Sequence, residues 1–293
     1  MPPVTRFAPS PTGWLHPGHA LSALEVWRTA REVEAEVRLR IEDIDHTRCR
    51  PEYDAAILDD LAWLGLRWSG PVWRQSERLS IYREVLDGLR ARGLVYPCFC
   101  TRGEIRNAAT EIGFEGPLYP GTCRAIRPDE ARRRMDLGEA AAWRLKLDAA
   151  MDLAGPVAWR DMDAGEQQWD GQGWGDVVLA RKDIGTSYHL AVTIDDAAQG
   201  ITHVVRGQDL FEATHIHVLL QRLLGLPTPL YRHHRLLVLA DGRKLSKRDG
   251  AAGLREIAGA GNGPGVLFDM LRENGFRSTI FDGLGTVTGR SDE

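Results

Sequence analysis

The chain has 293 residues and a mass of 32.6 kDa, which suggests two domains or one domain that carries an insertion. Apolar residues make up 43% and charged residues 27%, so a disordered chain and a fibre are excluded. Four cysteines argue against a disulfide framework, and no apolar run approaches the roughly 18 residues of a membrane span. Because the start lacks the apolar core of a signal peptide, the cytoplasm is the expected compartment.

The charge balance is close to neutral, with 37 basic and 41 acidic residues and a net charge of −4. A nucleic-acid partner would therefore be held by local patches, because counterion release depends on clustered charge. Only four of the basic residues are lysines, namely Lys146, Lys182, Lys244 and Lys247. Two lysines so close together in an arginine-using chain indicate a chemical need, although chance is the alternative explanation.

The first third of the chain predicts alternating strands and helices. The strands are predicted at 4–8 and 37–42, and the helices at 18–31, about 53–64 and 79–92. The strand at 37–42 shows a period of two, and the helices show apolar spacings of three and four. This order is typical of an α/β fold, and it predicts a parallel sheet.

Turn signals become dense between Cys98 and about Trp174, which indicates an inserted smaller α+β domain. After the insertion, strands are predicted at 177–179, 190–194, 201–206 and 236–239, with helices at 211–224 and about 267–272 and a turn at 233–234. The predicted segments are 1–97 and 176–240 for the two halves of the α/β domain, 98–175 for the insertion and 241–293 for a lysine-containing loop and short helical tail.

Two separated motifs carry the predicted chemistry. The first is His16-Pro17-Gly18-His19 at a strand-to-helix junction, where free backbone N–H groups and the helix dipole favour an anion. Gly18 is expected to let the backbone approach a nucleotide closely. The second contains Lys244 and Lys247, whose charges can offset the charge on the phosphates as pyrophosphate leaves. Each motif alone has a simpler interpretation, an exposed helix start or a basic surface turn.

Together, the motifs resemble the HIGH and KMSKS signatures of class I aminoacyl-tRNA synthetases, with Pro17, Leu245 and Arg248 as departures. The runs RFAPSPTG at 6–13 and RIEDID at 40–45 are similar to those of the glutamyl branch, and the similarity extends from residue 4 to about 250. The resemblance implies a Rossmann-type parallel-sheet catalytic domain that uses ATP and Mg²⁺. It implies catalytic roles for His16, His19, Lys244 and Lys247, and ATP contacts from these four residues and Gly18.

These segments, together with Tyr188 and Arg206, predict a binding site for glutamate. An arginine pairs with a carboxylate in a bidentate manner, and Arg6 and Arg206 are the candidates. Glu42 at a strand end suits the α-ammonium group, and the Tyr188 hydroxyl can serve either group. The resemblance implies glutamate contacts from Arg6, Phe7, Ala8, Pro9, Ser10, Glu42, Tyr188 and Arg206. For Arg206 and Tyr188 the alternative is a surface ion-pair network.

The end of the chain narrows the expected function. Only 45 residues follow Arg248, which leaves no room for an anticodon-binding domain within this sequence. The run at 208–214 resembles the short paralogue family, the glutamyl-Q tRNA(Asp) synthetases. That family activates L-glutamate with ATP without needing tRNA, and it esterifies the queuosine cyclopentenediol at the wobble position of tRNA(Asp).

The cysteines fit the same family. Its structural zinc site has a CxC…YxxxC form, which implies that Cys98, Cys100, Tyr119 and Cys123 hold one Zn²⁺. Three reduced, buried cysteines are the alternative, and Cys49 is expected to be a free thiol.

Three other functions remain as alternatives. These are a short glutamyl-tRNA synthetase that charges the 3′ end of tRNA(Glu), a different class I-like nucleotidyltransferase and a non-catalytic paralogue. A monomer without a membrane partner is expected. The run Arg132-Arg133-Arg134 is either a solvated helix face or a contact to tRNA phosphates.

Overall fold

The structure is a computed structural model that describes residues 2–237, 253–259 and 263–273. It divides into two compact units. The first contains Met1–Arg74, Gly200–Leu210 and Pro229–Glu293, and the second contains Gln75–Gln199 and Phe211–Thr228. Within the described ranges, no helix is long and apolar enough to cross a membrane. The insertion expected at residues 98–175 remains a prediction.

The described residues form strands and helices that alternate along much of the chain. The strands are β1 Val4–Phe7, β2 Glu36–Ile41, β3 Trp73–Arg74, β4 Val95–Cys98, β5 Ile112–Gly113, β6 Gly116–Pro117, β7 Ala142–Leu145, β8 Val157–Asp161, β9 Gly165–Trp169, β10 Val178–Ala180, β11 His203–Gly207 and β12 Leu230–His234. The helices are α1 Pro17–Glu32, α2 Pro51–Trp63, α3 Leu79–Ala91, α4 Arg102–Ala108, α5 Pro128–Asp136, α6 Leu147–Ala154, α7 Tyr188–Ala198, α8 Ala213–Leu224, α9 Leu254–Gly259 and α10 Gly265–Glu273.

The first unit contains the predicted parallel sheet. Its strands lie in the order β3-β2-β1-β11-β12, and each neighbouring pair is parallel. The core beside the sheet is apolar and includes Leu21 and Leu24 of α1, Leu39 of β2 and Ile57 of α2. Because the strands run in one direction, their carboxyl ends share one edge, where α/β folds bind ligands.

The strand predicted at 190–194 is wrong, since these residues lie in α7. The Ser187 hydroxyl caps this helix by accepting a hydrogen bond from the backbone N–H of Leu190. Every residue from His189 to Asp196 is buried. A helix buried on all sides has no polar face, so its apolar run is indistinguishable from a buried strand by periodicity.

The region around residue 235 also differs from the prediction. His233 and His234 lie in β12 instead of in a turn, and β12 pairs in parallel with β11. Leu236 and Leu237, which were predicted to begin a strand, are not in a strand, and the rest of that prediction lies outside the described residues. Polar histidines fit this strand because tertiary contacts satisfy them; His234 Nε2, for example, lies 3.1 Å from Ser22 Oγ.

The second unit combines antiparallel strands with α3, α7 and α8. Strands β4, β7 and β10 form one sheet, while β8–β9 and β5–β6 form hairpins. A fully buried carboxylate, Asp195 of α7, accepts hydrogen bonds from Gln75 Nε2 at 3.0 Å, Arg78 Nε at 2.8 Å and the Tyr82 hydroxyl at 2.6 Å. Asp195 therefore joins α7 to α3 and to the segment that precedes it.

We expect Asp195→Asn to destabilise the protein by roughly 3–5 kcal/mol, because the half-buried guanidinium of Arg78 would lose the charge of its fully buried carboxylate partner. The midpoint of thermal unfolding should fall accordingly. The control is Asp183→Asn, which removes the partly exposed ion pair with Arg181 and should cost less than about 1 kcal/mol. Equal midpoints for the two variants would contradict the structural role of Asp195.

Candidate functional site

The two motif histidines lie at the start of α1, after the loop that follows β1. The His16 side chain caps the helix, and its Nδ1 accepts the N–H of Gly18 at 3.0 Å. The Nδ1 of His19 accepts the backbone N–H of His16 at 3.1 Å, and the two ring centroids are 3.8 Å apart. When each ring is neutral, its proton must then lie on Nε2. The arrangement therefore sets both Nε2 atoms as hydrogen-bond donors.

Gly18 also has a local structural role, in addition to the predicted contact with a nucleotide. A Cβ at this position would lie 2.9 Å from Cε1 of the His16 ring, which is too close. The absence of a side chain thus makes room for the capping imidazole. Any larger residue would displace the ring that orients the His16 donor.

A second group of predicted residues lies at the carboxyl ends of β1 and β2. Arg6 is buried, and its Nη1 donates to the carbonyl oxygen of Val205 at 3.4 Å. Glu42 is also buried, and its backbone N–H donates to the carbonyl oxygen of Pro9 at 3.0 Å. Two groups of opposite charge are thereby held away from bulk water at this edge of the sheet.

Arg40 contacts Glu42 at this edge of the sheet, and no role was predicted for it from the sequence. Its side chain is fully buried, and its Nη2 lies 3.2 Å from Oε1 of Glu42. The sequence signal was the RIE run itself, in which residues 40 and 42 share one face of a strand. The buried ion pair with Arg40 fixes the position of the Glu42 side chain.

Arg206 lies in β11, and its guanidinium is almost fully buried. Its Nε donates to His233 Nε2 at 3.1 Å, and its Nη2 donates to the carbonyl oxygen of Leu210 at 3.2 Å. The Tyr231 ring centroid is 5.4 Å from the guanidinium carbon. His233 was missed because the sequence analysis predicted a turn there. As an acceptor at Nε2, it is a neutral imidazole that orients the cation without cancelling its charge.

The remaining predicted residues lie at the end of β1 and in the loop after it, and they differ in exposure. Phe7 is buried and packs edge-on against Trp27 with a centroid distance of 6.1 Å. Pro9 is buried, Ala8 is half-buried and Ser10 is exposed. This loop therefore offers backbone and hydroxyl groups on one side while Phe7 anchors it to α1.

The predicted catalytic lysines Lys244 and Lys247 lie outside the described residues. The next described segment, which begins at residue 253, is attached to the chain just before His16. The backbone N–H of Leu254 donates to the carbonyl oxygen of Leu15 at 3.0 Å. The guanidinium of Arg255 lies 4.6 Å from the Trp14 ring centroid.

In the second unit, the three predicted cysteine ligands form a cluster. The sulfur atoms of Cys98, Cys100 and Cys123 all lie within 4.8 Å of one another. The Tyr119 hydroxyl lies 3.7 Å from Cys100 Sγ and accepts the backbone N–H of Cys123 at 2.8 Å. A tetrahedral zinc ion with Zn–S bonds of about 2.3 Å separates its sulfur ligands by about 3.8 Å, so these donors fit such an ion.

Burial and hydrogen bonds together set the ionisation of the cluster, and hydrogen bonds such as that with the Tyr119 hydroxyl lower the pKa of Cys123 against the effect of burial. Desolvation raises the pKa of the Cys100 thiol to about 11, and it also raises the pKa of the Tyr119 hydroxyl. Zinc binds the thiolate, so a bound cation would have to lower the pKa of Cys100. Cys49 stands apart as a free cysteine, and burial raises the pKa of its thiol.

Tyr188, the predicted glutamate contact of the second unit, is the first residue of α7. Its ring is half-buried and lies against His217, with a centroid distance of 5.5 Å. A packed ring restricts the direction in which its hydroxyl can act.

The arginine run of α5 is largely occupied by neighbouring carboxylates. Arg133 pairs with Glu130 at 2.8 Å, and Arg134 pairs with Glu139 while its guanidinium lies over the Phe99 ring. These contacts favour the solvated helix face over a phosphate-binding role.

Comparison with known proteins places the chain in a family. The model of the catalytic domain of class I tRNA synthetases (E and Q) matches residues 3–284. A glutamyl-Q tRNA(Asp) synthetase of Rhodobacter capsulatus is 48% identical over 277 residues, which cover 89% of this chain and 96% of the relative. A glutamate–tRNA ligase 2 of Syntrophus aciditrophicus is 37% identical, and the match covers 92% of this chain and 56% of that protein.

Solved structures agree with this assignment. The structure of a glutamate tRNA ligase from Elizabethkingia meningosepticum, in complex with its amino acid, matches with a TM-score of 0.71 and 30% identity. The match covers 85% of this chain and 53% of that structure, so the chain spans about half the length of the solved protein. The chain therefore belongs to the glutamyl and glutaminyl class I tRNA synthetases, the family that includes the glutamyl-Q tRNA(Asp) synthetases.

Proposed function

We propose that the protein activates L-glutamate with ATP, without needing tRNA, and transfers the glutamyl group to the queuosine cyclopentenediol of tRNA(Asp). The observation that carries this proposal is the match at 48% identity to nearly the whole length of a glutamyl-Q tRNA(Asp) synthetase. The buried charges Arg6, Glu42 and Arg206 support it, since an acidic amino acid needs both cationic and anionic partners.

Glutamate binding uses these buried charges. The guanidinium groups of Arg6 and Arg206 pair with the side-chain carboxylate, and Glu42 accepts hydrogen bonds from the α-ammonium group. Both arginines are nearly excluded from solvent, where a charge-assisted hydrogen bond is stronger than in water. Glutamine, which is neutral, would form weaker hydrogen bonds with these guanidinium groups than a carboxylate does, and the site would discriminate against it for this reason.

Activation takes place at the start of α1. The α-carboxylate of glutamate attacks the α-phosphorus of ATP in line, and the bond to pyrophosphate breaks. The Nε2–H groups of His16 and His19 donate to phosphate oxygens, while Lys244 and Lys247 offset the charge that develops on the leaving group. Mg²⁺ bound to the phosphates would supply further charge neutralisation.

Transfer then completes the reaction. A hydroxyl of the cyclopentenediol attacks the carbonyl carbon of glutamyl-adenylate, an ester bond forms and AMP leaves. The proton lost by the hydroxyl passes to solvent or to AMP. No enzyme nucleophile is needed, so the protein contributes mainly through positioning and electrostatic stabilisation.

The cysteine cluster supports a structural role for one zinc ion. Cys98, Cys100 and Cys123 would provide three thiolates, and the hydroxyl of Tyr119 would complete a closed tetrahedron. Such an ion would cross-link β4 and the segment that follows it to the segment around residue 120.

Charging of the 3′ end of tRNA(Glu) is the second candidate function. The similarity to the glutamate–tRNA ligase 2 of Syntrophus aciditrophicus favours it. That match covers only 56% of the ligase, whereas the glutamyl-Q relative is covered almost completely. We therefore place this function second.

The first test is transfer of labelled glutamate, with ATP, to tRNA(Asp) prepared with and without queuosine and to tRNA(Glu). We expect labelling of only the queuosine-containing tRNA, because the modified base supplies the diol. Labelling of tRNA(Glu), or labelling that ignores queuosine, would favour the second candidate function. Absence of label on all of these tRNAs would contradict both candidate functions.

We expect Arg206→Gln to raise the KM for glutamate by roughly 10–150-fold, as loss of a charge-assisted hydrogen bond predicts. Discrimination against glutamine should fall with it. Pyrophosphate exchange measured with each amino acid gives both values. Arg222→Gln, an exposed arginine of α8, is the matched control and should behave like the wild type. A variant at 206 that still activates glutamate normally and rejects glutamine would refute the role.

Zinc binding predicts about one zinc ion per chain in protein purified without chelator. Cys100→Ser should lower the zinc content substantially and reduce the unfolding temperature, because one ligand of the site is lost. Cys49→Ser, which changes a cysteine outside the cluster, should alter neither value. Elemental analysis and thermal unfolding measure the two effects. If the wild-type protein contains no zinc and Cys100→Ser leaves the unfolding temperature unchanged, the cluster consists of three reduced cysteines instead.

A further inference from the structure

The second unit contains a cavity of about 370 Å³, and most of its lining residues have no role in the proposed chemistry. Its lining combines aromatic rings with charged and titratable groups. Among the lining residues are Glu115, Tyr119, Arg144, Trp174, Tyr188 and His189. A volume in this range suits a small organic ligand, and the mixed lining suits one with both a flat ring and polar groups.

The β5–β6 hairpin forms part of the cavity wall and lies close to the segment that contains Gly173. The backbone N–H of Phe114 donates to the carbonyl oxygen of Gly173 at 3.1 Å. Gly173 has a φ of +79°, and a Cβ there would lie 2.1 Å from the Phe114 ring. Only glycine permits this approach. The turn that carries Phe114 and Glu115 is therefore docked by specific contacts.

Glu115 is oriented by two buried histidines. Its Oε1 lies 3.1 Å from His189 Nε2, and His189 Nδ1 lies 3.1 Å from His217 Nε2. Both imidazoles are buried, whereas the Glu115 side chain is 56% exposed. With His189 donating to the carboxylate, a neutral His189 accepts from His217, which fixes the tautomer of each ring. The chain thus holds an accessible carboxylate at the cavity.

Aromatic surface lies beside this carboxylate. Phe114 is 50% exposed, and its ring centroid lies 6.0 Å from that of Trp174. Ile112 on the same hairpin is 77% exposed. Trp174 is buried, so the exposed aromatic surface is the Phe114 ring, and an exposed ring of this kind is a surface on which proteins stack unpaired bases.

Two polar groups of the cavity lining also lack partners. Within the described part of the chain, Arg144 Nε and Trp174 Nε1 are buried donors without a hydrogen-bond acceptor. Buried donors of this kind are uncommon and call for a ligand or water. Acceptor oxygens of a bound molecule would satisfy them.

We propose that this cavity binds the nucleoside that accepts glutamate, with its base against Trp174 and the exposed Phe114 ring beside the cavity, and with its diol hydroxyls donating to Glu115. The proposal rests on the proposed function, and it adds the place where the acceptor is recognised. A diol provides two donors for one carboxylate, and a base provides a flat ring for the aromatic wall. Guanosine without the cyclopentenediol would keep the stacking and lose the hydroxyl contacts to Glu115.

The test compares Glu115→Gln and Phe114→Ala with the wild type in the full chain. The first readout is the KM for queuosine-containing tRNA(Asp) in the transfer assay, and the second is calorimetric titration with free queuosine and with guanosine. We expect each variant to raise the KM by about 10-fold or more, since charged hydrogen bonds and base stacking each contribute effects of this size. Glu115→Gln should also reduce the preference for queuosine over guanosine.

Glu111→Gln is the matched control, because it makes the same substitution in the segment that leads into the hairpin, at an exposed residue. Thermal unfolding of each variant separates loss of binding from loss of fold. Transfer by the wild type together with unchanged KM values in both variants would overturn the cavity assignment and leave the proposed function intact. Wild-type protein that transfers nothing to queuosine-containing tRNA(Asp) would overturn the proposed function, and the nucleoside titration would then decide the cavity alone. Absence of binding in that titration would overturn the assignment as well.

Discussion

Parallel pairing of β1, β2 and β11 is the constraint on which the candidate site of the first unit depends. Since the three strands run in one direction, the residues at their carboxyl ends come from distant parts of the sequence and meet at one edge. Arg6, Glu42 and Arg206 lie at or near these ends, and α1 begins after the loop that follows β1. The sheet thereby brings the buried charges and the start of α1 to the same edge.

Buried charges at such an edge require support from the surrounding structure. Arg40 pairs with Glu42, whereas Arg206 donates to a neutral imidazole and a backbone carbonyl. These contacts fix the position and direction of the Arg206 guanidinium. Local hydrogen bonds also orient side chains at the start of α1, where the Nδ1 atoms of His16 and His19 accept backbone N–H groups and Nε2 is left as the donor.

In the second unit, a chain of buried contacts positions the accessible carboxylate of Glu115. Asp195 fixes α7 to α3 and the segment before it, and α7 carries Tyr188 and His189 at its start. His189 in turn orients Glu115 on a hairpin whose approach depends on Gly173. A rigid buried carboxylate thus supports an accessible one, and preorganisation of this kind lowers the entropy cost of binding a ligand.

The sequence by itself determined the alternating elements at the start of the chain, the histidine motif at a strand-to-helix junction and the family. These follow from local signals, since the period of two at 37–42 and the positions of His16 and His19 need no distant partner. The predicted roles of Tyr188 and the lysines rest on resemblance and remain predictions. Only the tertiary structure decided that 190–194 is a helix, that His233 lies in a strand beside Arg206, and that Arg40 pairs with Glu42. Burial on every side removes the polar face that reveals a helix, and a contact between residues far apart in sequence exists only once the chain has folded.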